Sequence, residues 1–558
     1  MKKAKVFLCI VLALVMLGAL FACNKSDTSS GSQGGTQQSG GSGDSGGGSG
    51  GGGGDSQNLL PLPSKTVTVS VNSQSNGVDP HNNIGGIGGL MITSQCHEGL
   101  VFDDRNGGYE PLLATSWESN AAGTVWRFQL RQDVKFHNGE PFSADDVKTT
   151  FDRLFNDPTL YAYTNSCVNI IRCDKIDEYT VEFEFDGPNY RALSLIGTVM
   201  IIPGETFTQY GEELWAKQEV YGTGPWMFQE WVDGDYARFI KNPDYWGKDF
   251  YDPYYEEIYL RFITEASVST AAQLAGDINV NLKQAGIDRE MLGMYEGTQN
   301  RFQRIEMDTG FTYIIGFQCE EGKVFHDKNA RMAFDYCVDR QAIVDYVLSG
   351  GGKVPNSVFP DNVLGYDPSL PAYEYNPDLA REYLAKSDYD GRKIELSTTA
   401  TSKKAEECLL AIRDYMVAIG FDVDILVVQS AEFASKRTSG DYDLYYTAVN
   451  YSGYDPSSYL TIRVLTDTHK SNFSHIDGYE EMMDSIRKAL VELDEGRREQ
   501  YFKRVGEIMR AEAAPHTGMN QLNQICFIDL GVIGIDFWVD GSFTYKYIDF
   551  DPTMQPNW

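Results

Sequence analysis

Serines set among glycines are the first residues whose spacing could carry chemistry. Gly43-Asp44-Ser45-Gly46-Gly47 matches the nucleophile motif of trypsin-like proteases, and Gly47-Gly48-Ser49-Gly50-Gly51 matches the GxSxG of hydrolases. Both lie in residues 24 to 58, a run of Gly, Ser, Gln and Asp with almost nothing to bury. A nucleophile elbow needs a strand and a helix to strain its serine into place, so both matches are compositional. His97-Glu98 lacks the second histidine of HExxH, and the 7 histidines are scattered without ligand spacing, so no metal site is expected. Gly85-Gly86-Ile87-Gly88-Gly89 has neither the GxGxxG order nor the Lys-Ser/Thr of a phosphate-cradling loop, and reads as a flexible loop. Of the 9 cysteines, Cys96, Cys167, Cys173, Cys319, Cys337, Cys408 and Cys526 follow Cys9 and Cys23 and show no CxxC spacing. Cys167 and Cys173 could bridge, whereas Cys337 and Cys408 fall in helical patterns and read as small core residues. No cofactor is implied, and no enzyme activity is expected.

The remaining polar candidates, Arg127, Arg131, His137, Asp145 and Asp146, crowd into residues 124 to 153, where the local pattern explains each of them. Trp126, Phe128 and Leu130 alternate with Arg127, Gln129 and Arg131, the period of a strand with one wet face. Asn138-Gly139 supplies the positive-φ positions of a tight turn, and Pro141 blocks further pairing. Ser143 stands three residues before Asp146, a capping-box start for a helix bearing Val147, Phe151 and Leu154. Elsewhere, Val67, Val69 and Val71 alternate in a strand, and so do Val181, Phe183 and Phe185. Asn376-Pro377-Asp378 caps a helix. A strand at Ile394 to Ser397, a helix through Cys408 to Met416 and a strand at Phe421 to Val427 mark an α/β layer.

At 558 residues the chain is too long for one ordinary core, so at least two lobes are expected. A formal charge of −32 opposes nucleic-acid binding and an anionic membrane surface. Lys2, Lys3 and Lys5 precede the apolar run Val6 to Ala22, which has the form of a secretory signal. The tether that follows has a root-mean-square reach of roughly 30 to 35 Å.

The run W.F.LR.DVKFHNGEPFSADDVK, from Trp126 to Lys148, resembles the hallmark segment of extracytoplasmic solute-binding proteins of the peptide and nickel family, the receptors of ABC importers. The order of further motifs is similar to that family's over about residues 65 to 540. They include His97-Glu98-Gly99-Leu100-Val101, Gly222-Thr223-Gly224-Pro225-Trp226 with tryptophan for the usual tyrosine, and Asn242-Pro243-Asp244-Tyr245-Trp246-Gly247. Asp339-Arg340, read as a capping or interlobe pair, and Ala513-Ala514-Pro515 continue the series. Leu20-Phe21-Ala22-Cys23 resembles the lipobox, in which the cysteine is diacylated.

This resemblance implies an α/β, two-lobed periplasmic-binding-protein-like class II fold with a hinge and an extra subdomain in the first lobe. The expected parts are a signal peptide at 1–22 and a lipidated cysteine with its tether at 23–64. Lobe I takes 65–98, 223–308 and 520–558, the subdomain 99–222, and lobe II 309–519. The implied function is capture of a peptide or peptide-like solute between the lobes and its delivery to a membrane permease by a monomeric lipoprotein on the outer face of the membrane. Oligosaccharides, nickel complexes and other solutes are alternatives, and a secreted hydrolase is the remote one. Asn72 and Ser73 are cleft candidates, against ordinary loop polars. The segment that holds a peptide's ammonium in the family corresponds to 448–456, where the acidic position falls on Ser452 or Gly453. Asn450, Tyr451 and Tyr454 are the other candidates there, and Asp455 could replace the missing acid.

Overall fold

The computed structural model describes residues 64 to 554 apart from 74, 76, 83–86, 104–107, 161–166, 168, 190, 198, 283–288, 401–402, 452–453 and 538–542. The signal, Cys23, the tether, and Ser452 and Gly453 lie outside the described residues.

One sheet of eleven strands organises the molecule. They are β1 (Thr66–Val71), β2 (Trp226–Val232), β3 (Tyr236–Lys241), β4 (Glu257–Phe262), β5 (Val280–Leu282), β6 (Phe302–Phe317), β7 (Gly352–Lys353), β8 (Ile394–Thr399), β9 (Val423–Val428), β10 (Leu444–Val449) and β11 (His516–Asp529). Their order across the sheet is β9-β8-β10-β6-β11-β5-β1-β4-β3-β2, with β7 against β11. β8, the helix Lys403–Ile419, β9, the helix Ser430–Ser439 and β10 follow one another in the chain, and their strands are parallel. This is the α/β layer anticipated from the alternating apolar periods. β1 is parallel to β4 and β5, and Val67, Val69 and Val71 are buried in it.

Among the described residues, three large apolar clusters lie along the chain beside two small ones. One gathers β1, β4 and β5 with residues from Cys526 to Phe550, a second runs from Leu100 to Ile201, and the third from Ile314 to Met519. The second covers one face of a separate antiparallel sheet of Ala114–Ser119, Val125–Leu130, Thr180–Phe185 and Ile170–Asp177. Phe151 of the helix Ala144–Asn156 meets Phe183 edge-on at 4.7 Å, and Phe183 meets Phe128 at 5.6 Å.

The five polar candidates of 124–153 are all engaged by the protein itself. Ser143 and Asp146 form the capping box, and Asp146 also accepts the Gly204 amide at 2.7 Å. Arg127 pairs with Glu182, Asp145 with Lys175, and Arg131 lies over the Trp246 ring. His137 donates from Nε2 to the Gly224 carbonyl and accepts the Gly222 amide at Nδ1. Burial pushes its pKa down to about 4, which keeps the ring neutral. The Gly-Thr-Gly turn is held close: a Cβ on Gly222 would stand 1.9 Å from the Cys96 carbonyl oxygen. Trp226, the departure from tyrosine, is fully buried and donates to the Lys546 carbonyl at 2.8 Å.

Two expectations are corrected, and two that were left open are decided. Ile87–Cys96 is a helix, so the glycine-rich run is not a loop from Ile87 onward. In the turn, Gly139 has positive φ and Asn138 does not. Asp339 caps its helix as expected by accepting the Ala342 amide, but Arg340 pairs with Asp335, at 2.7 Å. Cys167 and Cys173 are separate free thiols, buried like the other described cysteines.

Glu98 is completely buried and joins the first lobe to the chain end. Its oxygens accept Thr223 Oγ1 at 2.8 Å, Trp246 Nε1 at 2.8 Å and the Tyr245 hydroxyl at 3.0 Å, and Lys546 Nζ stands 3.3 Å away. Lys546 also donates to the His97 carbonyl. Removing one partner of a buried pair strands the other charge. Glu98→Ala should therefore lose about 3–5 kcal/mol of stability, measured by urea unfolding. A loss under about 1 kcal/mol would show that water replaces the carboxylate.

Candidate functional site

The strand directions converge on one place. β6 and β11 are antiparallel and belong to both lobes: Phe302 to Asp308 pairs with Asn523 to Asp529, and Thr312 to Gly316 pairs with His516 to Gln521. β5 is antiparallel to β11, so β5 and its parallel neighbours β1 and β4 run toward the second lobe. β10 is antiparallel to β6, and its last residue, Val449, lies opposite Thr312. The carboxyl ends of parallel strands from both lobes thus face the crossing of β6 and β11. Ligands of open α/β sheets bind at such carboxyl ends.

The ladder breaks there. Between the pairs Asp308–Asn523 and Thr312–Gln521, three residues of β6 stand against one of β11. The bulge is closed by Thr309 Oγ1 donating to the Leu522 carbonyl at 2.8 Å and Gln521 Nε2 donating to the Thr309 carbonyl at 2.8 Å. Charged groups surround it. Lys353 bonds Asp308 and lies 3.2 Å from Asp361, and Arg289 reaches Glu306 at 2.8 Å and Asn523 at 2.6 Å. Glu290, in the first-lobe turn Arg289–Tyr295, pairs with Lys404 of the second lobe at 3.0 Å. The Lys404 ammonium holds the Glu290 carboxyl below its ordinary range. Farther out, a Cβ on Gly123 of the subdomain would stand 3.1 Å from Leu493 of the second lobe.

The anticipated residues divide into two sets. Asn72 and Ser73 directly follow β1 and are half-buried, and Asn450 directly follows β10 and is exposed. Tyr454 is also exposed, with a positive φ of 60° and its carbonyl accepting the Leu364 amide. Tyr451 has no exposed surface. Its hydroxyl donates to the Val358 carbonyl at 2.7 Å, and its ring packs edge-on against Phe359 and Tyr459. Asp455 accepts the Ser457 amide at 2.7 Å and lies 3.6 Å from Arg498. Both side chains are engaged by the framework: Tyr451 fills the core, and Asp455 fixes the turn into the helix Ser457–Leu460.

Sequence reasoning missed the bulge residues Thr309 to Phe311 and the charged groups Arg289, Asp308 and Lys353. Gly310 inside a long alternating strand was the available sign of a bulge. The charges become neighbours only through pairings distant in the chain.

Two lobes joined by a shared strand pair, with the carboxyl ends of both sets of parallel strands turned to that junction, define a hinged receptor for small solutes. A model of bacterial extracellular solute-binding proteins, family 5, matches residues 108–471, and the chain belongs to this family. It is 25 % identical over 435 residues to Di/tripeptide-binding protein 1 of Pseudomonas aeruginosa, covering 72 % of this chain and 79 % of that one. It is 24 % identical over 389 residues to the nickel-binding periplasmic protein of Escherichia coli, covering 67 % and 73 %. Among solved structures, NikA from Brucella suis in complex with Fe(III)-EDTA superposes with a TM-score of 0.76 at 21 % identity, covering 87 % of this chain and all of that one. DppA from Helicobacter pylori in complex with the peptide STSA gives 0.70 at 21 % identity, covering 87 % and 98 %.

Asp455→Ala removes the acceptor of the Ser457 amide and a partner of Arg498. It should lower stability by about 1–2 kcal/mol, read by chemical unfolding, and leave solute affinity within about threefold, because 1.4 kcal/mol of binding would be tenfold. A larger affinity loss at unchanged stability would return Asp455 to the binding site.

Proposed function

We propose that this chain is the receptor of an ABC importer, capturing a peptide or peptide-like solute between its two lobes and delivering it to a membrane permease. The observation that carries this reading is the convergence of strand ends from both lobes on the broken ladder of β6 and β11. A bulge in the strand pair that both lobes share gives closure a point to bend. On this reading lobe I takes 65–98, 223–308 and 520–558, lobe II takes 309–519, and 99–222 is the inserted subdomain. Family membership and the relative that bears a di/tripeptide-binding name support a peptide. Asn72, Ser73, Asn450 and Tyr454 are the proposed contacts. Exposed amides and carbonyls at the strand ends would hold an extended backbone as an added strand does.

A second reading, a non-peptide solute on the same scaffold, is favoured by one observation. Asp455, the acid of 448–456, is already occupied by Arg498 and the Ser457 amide. A peptide ammonium taken out of water without a carboxylate costs several kcal/mol.

Anchoring follows the lipobox: Cys23 would carry the acyl chains that hold the receptor at the outer face of the cell membrane, with the tether giving it reach. Cys23→Ala should move the protein from the membrane fraction to the soluble fraction. Retention in the membrane would sink the lipoprotein reading.

Mass spectrometry of the solute retained after gentle purification identifies the ligand class. Added back at about 100 times Kd, that solute should stabilise the protein by roughly 2.7 kcal/mol without being consumed. Turnover by the purified protein would favour the hydrolase, and retained peptides with free N-termini would refute the second reading.

A further inference from the structure

The second lobe holds a pair of arginines that solute capture at the strand crossing does not use. Tyr445 of β10 lies over Gly316 of β6, where a Cβ would stand 2.2 Å from the tyrosine Cζ, so the ring occupies the space a side chain would need. The Tyr445 hydroxyl lies 2.8 Å from both His469 Nδ1 and His516 Nε2, and the Tyr459 hydroxyl lies 2.9 Å from His516 Nδ1. Arg463 reaches this group with Nη1 at 3.3 Å from His469 Nδ1. Arg437, in the last turn of Ser430–Ser439, stacks over Phe433 at 4.4 Å and faces the Tyr445 ring at 5.7 Å.

Neither guanidinium has a carboxylate within 4.0 Å among the described residues. The neighbouring Lys436 takes Glu395 and Asp441 instead, and Asp467 is committed to the amides of Ser471 and Asn472. Arg437 Nε is buried and has no hydrogen-bond partner. Burial, and then the field of Arg463, lowers the pKa of Arg437 below the usual arginine range. Burial, Arg463 and Arg437 together push His469 down to about 3, so the ring between them stays neutral. Two like charges in each other's field, one with a buried donor left over, raise the energy of the empty site. This arrangement stands in a protein of net charge −32, where acidic partners are abundant.

We propose that Arg437 and Arg463, with the hydroxyl and imidazole of Tyr445 and His469 behind them, form a binding site for a small inorganic oxyanion of the phosphate or sulfate class. Guanidinium forks match such oxygens in pairs. Tyr445 stands four residues before Val449, roughly 13 Å along the strand, so the site is separate from the crossing.

The test titrates the purified full-length protein with millimolar phosphate and with sulfate at constant ionic strength, reading thermal stability for wild type, Arg463→Gln and Arg437→Gln. Constant ionic strength and the variants separate site binding from the general stabilising action of these salts. Wild type should show a saturable rise in melting temperature, and each variant should need about tenfold more anion or show no saturation. Without anion, each variant should melt at or above the wild-type temperature, because a repulsion has been removed. The proposal is overturned by an equal response in wild type and variants, by no response, or by variants that are destabilised or fail to fold without anion, since that would make the arginines structural.

Discussion

Two strands pass through both lobes, and their backbone hydrogen bonds leave the lobes little freedom in how they face one another. β6 climbs from the first lobe into the second and β11 returns, so every other strand of the large sheet takes its direction from them. The same pairing brings the ends of β1 and β10 to one place from opposite sides. A continuous ladder would make the junction stiff. The three-residue bulge at Thr309 to Phe311 removes pairing there while the Thr309 and Gln521 side chains keep the two strands in register on either side.

Buried charges in the framework are arranged around β11 and its continuation, and they are well supplied with partners. Arg340 bonds Asp335, the Thr517 hydroxyl and the Gly518 carbonyl, and Asp335 also accepts from Thr517. Arg331 donates to the carbonyls of Glu512, Phe325 and His326. Glu98 and Lys546 do the same work in the first lobe. Such groups fix geometry only when their hydrogen-bonding capacity is met, because a partly satisfied buried charge costs more than an apolar substitute. Arg437 and Arg463 stand out against this pattern.

Much of the fold was legible because its signals are local. Val67, Val69 and Val71 declare a strand, Ser143 and Asp146 a helix start, and Asn376-Pro377 another, and each is found where the pattern puts it. The resemblance named the scaffold through motifs whose reasons now have atoms: Gly222 and Gly224 leave room for the Cys96 carbonyl, and Tyr245 and Trp246 serve Glu98. The site was less legible. Tyr451 and Asp455 have side chains suited to a ligand, and nothing in one sequence distinguishes a tyrosine that donates to the Val358 carbonyl from one that faces a solute. Arg289 and Asn523, or Asp308 and Lys353, meet only because β6, β7 and β11 pair, and no local pattern encodes that meeting.

The fully buried Glu98 has a further consequence in time. Its cation, Lys546, lies 448 positions later in the chain, and Trp226 donates to the Lys546 carbonyl across 320 positions. The second lobe is a nearly continuous stretch and can assemble from neighbours, whereas the first lobe lacks β11 and its counter-charge until the chain has been made as far as Lys546. During synthesis the segment around Glu98 must therefore wait, and a chain cut before Lys546 would leave the first lobe with an orphaned carboxylate in an unfinished core.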